Sequence, residues 1–111
     1  MTEPCDLSAV RARQLIGAKA LSPVELLESC LKRVGEVNHA VNAMVAMDED
    51  RARANARDAE AAVMRGDALG PLHGLPIGIK DLDSTEGLVT TFGSPIFRDN
   101  VPKHDDHHVA A

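Results

Sequence analysis

Much in this chain turns on GPLHGLPIGIKDLD, Gly70 to Asp83. A Gly/Pro loop gives way to a short apolar run, LPIGIK, bounded by turn residues and ending in Lys80. Such a run without polar alternation predicts a strand covered on both faces rather than a half-exposed one. A lysine carried into apolar surroundings is costly, because loss of water disfavours the ammonium form. It is kept either by pairing, here with Asp81 or Asp83, or by use of its neutral amine as a base. The run alone leaves both readings open. If it is a strand, successive side chains point to opposite faces, so Asp81 need not meet the Lys80 amine.

Outward from this stretch the pattern is helical on the N-terminal side. LSAVRARQLIGAKAL predicts a first helix with Leu7, Val10, Gln14 and Leu15 on one face and Gly17 near its end. SPVELLESCLKRVGEVN predicts a second, with Ser22 as N-cap, Pro23 at the first helical position and Glu25 completing a capping box. Its apolar residues Leu27, Cys30, Leu31, Val34 and Val37 recur at helical spacing. VNAMVAM breaks that period and predicts a short strand, and DEDRARANARDAEAAVMRG returns to helix, with Arg65 in its last turn and Gly66 as terminator. Downstream of Lys80, DLDSTEG is a turn-rich connection and LVTTFGSPIF an extended loop or strand. VPKHDDHHVAA begins a helix with Asp105 or Asp106 as N-cap.

Composition narrows the function classes. The 111 residues suffice for one small core, and 44% hydrophobic content is that of a globular chain. Phe92 and Phe97 are the only aromatic residues among Phe, Tyr and Trp, so the core lacks large anchors. The net charge is -5, and the basic residues are interleaved with acids, as in DEDRARANARDAE. That is a solvated face with Arg51, Arg53 and Arg57, and it offers no continuous stripe for nucleic acid. No apolar run approaches the roughly 18 residues of a membrane span, and MTEPCDLSAV shows no signal-peptide pattern. Cys5 and Cys30 form no close-spaced motif and read as reduced thiols, which places the chain in the cytoplasm. The unterminated last helix and a strand short of neighbours lead us to expect a piece of a larger α/β protein.

GPLHGLPIGIKDLDSTEGLVTTFGSP, preceded by two helices and VNAMVAMD, resembles the N-terminal part of the amidase signature family. The resemblance runs from about Leu7 to Ala111 and is most specific from Gly70 to Ser94, where the intervals from Lys80 to Gly87 and on to TTFGS match the family. It implies an α/β fold in which this chain contributes N-terminal helices and the first strands of a mixed sheet. Residues 1–111 would be the N-terminal portion of a single amidase domain, helical over 7–66, with the Lys-bearing strand and loop region over 70–111. It also implies a Ser-cisSer-Lys triad cleaving carboxamide C–N bonds without metal or organic cofactor. Lys80 corresponds to the lysine that takes a proton relayed through a bridging serine.

The sequence departs from the family in lacking the Gly/Ser-rich loop that carries both serines. Ser84 and Ser94 have no Gly-Ser-Ser-Gly context, and TTFGS is a loop element in the family, so neither is expected as nucleophile. A base without its nucleophile performs no acyl transfer, so the chain by itself is expected to be inactive. The expected partners are a small-molecule amide and a complementary C-terminal chain or a second copy, with no nucleic acid and no membrane. Two alternatives stand beside this reading: a non-catalytic interaction module derived from the family, and a piece of the A-type chain of a glutamyl-tRNA amidotransferase. His104 to His108, HDDHH, carries metal-type ligands, yet an acidic helix start accounts for its carboxylates. His73 reads as a loop residue, and Gly78 as a place where backbone could approach closely.

Overall fold

The computed structural model describes residues 3–110, and its long helices begin where the sequence offers caps. Helix α1 (Ala9–Gly17) follows Ser8, whose Oγ accepts the Arg11 N–H at 3.1 Å. Helix α2 (Pro23–Val41) starts at the expected capping box. The Ser22 hydroxyl accepts the Val24 N–H at 3.0 Å, and Glu25 Oε1 takes the Ser22 N–H at 3.2 Å. Helix α3 (Glu49–Arg65) ends at Gly66, where φ is +80° and the Gly66 and Asp67 N–H groups return to the Val63 and Ala62 carbonyls. A four-residue helix, α4 (His107–Ala110), closes the described chain.

These elements fall into two compact units, one of Met1–Ala43 with Glu49–Pro76 and one of Met44–Asp48 with Ile77–Ala111. The first holds the apolar core: Ala12, Ile16, Leu21, Leu26 and Val63, flanked by Leu7, Leu15, Cys30, Leu69 and Leu75. Ile16 is wholly buried, a burial that contributes about 1.5–3 kcal/mol. This corrects the expected face of α1. Val10 is 70% exposed, and the inward stripe is Ala12 and Ile16, four residues apart on one face. The 70–76 loop docks on this core. Arg13 donates through Nε and Nη2 to the Gly70 carbonyl at 3.1 and 3.0 Å, and His73 Nε2 lies 2.9 Å from the Ala59 carbonyl. A carbonyl only accepts, so Nε2 carries the proton and His73 is a structural tie. Gly74 is required here: its φ is +82°, and a Cβ would lie 3.0 Å from Pro23 Cγ and 3.2 Å from Ile16 Cδ1.

The second unit differs from the sequence expectation. Among the described residues no strand forms, so LPIGIK and, after the helical Val41, the rest of VNAMVAM are irregular rather than the first strands of a mixed sheet. A strand is defined by its ladder, and no partner edge is supplied within these residues. Ile77, expected to be covered, is 78% exposed. Gly78 sits beside Met44, but a Cβ there would make an ordinary 3.8 Å contact, so no close approach demands glycine. No helix among the described residues is long and apolar enough to cross a membrane.

Candidate active site

Lys80 is exposed at the entrance to a turn that the Asp83 N–H closes on the Lys80 carbonyl at 3.0 Å. The sequence leads one to expect burial, and nothing among the described residues supplies it, because the apolar run carrying the lysine has no covering layer there. What the structure does supply is isolation from acid. Both neighbouring carboxylates, the two candidates for a structural pairing, are engaged elsewhere. Asp81 Oδ1 accepts the Thr91 N–H at 2.7 Å and Oδ2 accepts the Thr91 hydroxyl. These bonds, the hydroxyl first and then the Thr91 N–H, with a smaller contribution from the Gly93 N–H, hold the Asp81 carboxyl below the usual carboxylate range. Asp83 Oδ2 lies 3.3 Å from His108 Nε2. Among the described residues no ion pair includes Lys80.

The turn that receives Asp81 is itself unusual. Phe92 and Gly93 have φ of +53° and +70°, and the Ser94 N–H closes on the Thr91 carbonyl at 3.0 Å, as in the primed turns whose two central residues are left-handed. A bulky residue seldom adopts that conformation. Phe92 is steadied by Phe97, edge to face at a 5.3 Å centroid distance.

The remaining candidates have structural employment. Ser94 Oγ accepts the Ile96 N–H at 3.3 Å and so caps the Pro95–Phe97 turn. Ser84 and Asp106 are tied reciprocally: the Ser84 N–H donates to Asp106 Oδ2 at 2.7 Å, and the Asp106 N–H to the Ser84 carbonyl at 2.9 Å. Asp105 Oδ1 takes the Glu86 N–H at 2.7 Å. The acid side chains of HDDHH thus bind a loop 19 to 22 residues upstream, while α4 starts directly after Asp106, as the sequence predicts, and the Asp106 carbonyl accepts the Ala110 N–H at 3.0 Å. No group of three metal-type ligands is assembled among the described residues. Arg53, on the arginine-bearing face of α3, pairs with Glu28 at 2.6 Å and Glu49 at 3.5 Å. Cys5 and Cys30 are free thiols. Burial pushes the Cys30 thiol up, Cys5 adds to the rise, and Arg33 opposes it.

Comparison with known proteins shows the family to which the segment carrying Lys80 belongs. The family model described as Amidase matches residues 25–111, which include the whole Lys80 segment. The chain belongs to the amidase family. It is 39% identical over 95 residues to an acylamidase of Rhodococcus erythropolis, covering 86% of this chain and 20% of that protein. The A subunit of the glutamyl-tRNA(Gln) amidotransferase of Anaeromyxobacter sp. (strain K) is 39% identical over 103 residues, covering 93% and 21%. A solved chain from a vestigial protein complex that bears on the origins of an s-triazine catabolic enzyme superposes with a TM-score of 0.84. It is 31% identical, over 89% of this chain and 22% of that one. A bacterial aryl acylamidase of the amidase signature enzymes gives a TM-score of 0.80 at 30% identity, covering 86% and 20%. This amidase chain therefore spans about a fifth of the length of the relatives it matches.

Proposed function

We propose that this chain is the lysine-bearing N-terminal portion of a single amidase domain that hydrolyses a carboxamide, with Lys80 as the triad base. The observation that carries the reading is the isolation of Lys80: it ends the family's motif, and the two acids beside it are bound to Thr91 and His108. An amine without a carboxylate partner loses its proton more readily than a paired one. In the complete domain the nucleophilic serine passes its proton through the bridging serine to the Lys80 amine as its oxygen attacks the amide carbon. Backbone N–H groups hold the developing oxyanion. The C–N bond then breaks as the proton moves to the leaving amine, and water frees the acyl group from serine. Both serines lie outside this chain, so the chain alone turns nothing over. The mixed sheet, the covering of LPIGIK and the substrate pocket belong to the complementary part of the domain. The two free thiols suit a cytoplasmic location.

The test is a chimera in which residues 25–111 replace the matching segment of the Rhodococcus acylamidase, assayed for amide hydrolysis. We expect turnover, no activity from the isolated chain, and at least a ~1,000-fold loss in Lys80→Ala. Retained turnover in Lys80→Ala removes the reading. The relatives that are A subunits of amidotransferases support a second reading, in which ammonia released from an amide passes to an acyl-tRNA. It keeps the same role for Lys80. It is selected if a chimera built on such an amidotransferase chain works only when the other chains of that enzyme are present.

A further inference from the structure

We propose that Thr91 is a positioning residue whose hydroxyl and N–H hold the Asp81 carboxylate and so keep it from pairing with the adjacent Lys80 amine. A strand would separate the two side chains by simple alternation, but residues 80–83 form a turn, and that protection is gone. Lys80 and Asp81 are then neighbours able to meet in solvent. The separation falls to the tie across ten residues from Asp81 to Thr91. That tie uses both carboxylate oxygens, and the left-handed pair Phe92 and Gly93 turns the chain so that the Thr91 N–H and hydroxyl address the carboxylate together. The same turn brings the Gly93 N–H to within 3.3 Å of Thr91 Oγ1. The other acid next to the lysine, Asp83, is occupied by His108. The strained turn at Phe92 thus has a consequence for the lysine: it holds the adjacent carboxylate away from the amine.

The proposal rests on Lys80 being a base, and its test is independent of the chimera. Acetylation by an N-hydroxysuccinimide ester requires the neutral amine. Its rate at Lys80 can be read peptide by peptide in the full chain, with Lys19, Lys32 and Lys103 as internal references. Thr91→Val is expected to slow acetylation of Lys80 about two- to five-fold, the range of an exposed ion pair. Thr91→Ser keeps the hydroxyl and the native rate. Adding Asp81→Asn to Thr91→Val restores that rate, which a merely structural role for Thr91 would not produce. Asp81→Asn alone leaves Lys80 unchanged, and this variant can still overturn the proposal if Thr91→Val fails to fold. A two- to five-fold acceleration in Asp81→Asn would mean that the pair already exists and overturns the proposal. So would an unaltered rate in folded Thr91→Val, or a slow rate persisting in the double variant. A chimera inactive in every form would remove the base reading while leaving the acetylation result intact.

Discussion

Different physics holds each of the two units together. In the helical unit Ala12, Ile16, Leu21, Leu26 and Val63 exclude water from a common interior, and loops are tied down onto it. In the unit that carries Lys80, the one deeply buried residue among those described is polar: Thr90, at 2% exposure. Its N–H donates to the Asn100 carbonyl at 2.9 Å, and Asn100 Nδ2 returns to the Thr90 carbonyl at 2.9 Å. The Thr90 hydroxyl donates to the Leu88 carbonyl at 3.1 Å. In the same unit Asp81, Asp105 and Asp106 each accept a backbone N–H at 2.7 Å. An apolar core tolerates exchange among similar shapes, whereas each polar tie depends on direction and partner. The part that carries Lys80 is therefore the part that a single polar substitution most readily reshapes.

The sharpest break of this contrast is Ile16→Ala. A wholly buried isoleucine cut to alanine costs about 2–5 kcal/mol, and urea unfolding of the helical unit followed by circular dichroism should register nearly all of it. An effect under ~0.5 kcal/mol, the scale of an ordinary surface change, would mean that no real core exists there. Next is Asp106→Ala, which leaves the Ser84 N–H without its acceptor. Amide exchange at Ser84 should quicken about tenfold, the scale of a charge-assisted hydrogen bond, while the α1 and α2 amides keep their protection. The smallest effect comes from acid. Because folding lowers the Asp81 carboxyl from its ordinary value, its contribution is complete above about pH 3.9. It fades as the pH falls through the lower folded value. Thr91 amide exchange should show that step in the native chain and lose it in Asp81→Asn. A native step at the ordinary aspartate pH would dissolve the tie.

Caps and terminators are legible in the sequence because they act within one turn of backbone. Ser22, Pro23 and Glu25 need only each other to start α2, and Gly66 ends α3 through its own φ. The inward face of α1 is harder to read. Val10, more hydrophobic than Ala12, draws the expected stripe toward itself, while packing in the core favours Ala12 and Ile16. The strands fail for a nonlocal reason: a run of apolar residues becomes a strand only beside another. Thr91 is visible as part of TTFGS, but nothing in that motif points back to Asp81. The helix-start signal of HDDHH is read correctly, since α4 begins directly after Asp106, but nothing in that pattern shows that the acid side chains bind the loop at Ser84 and Glu86.

Consecutive residues were enough to specify the family and the helical half, because motif spacing and helix caps are short-range features. Which acid each loop binds emerged only on folding. Such pairings join residues 10 to 25 positions apart, and their energies depend on directions that no linear pattern encodes.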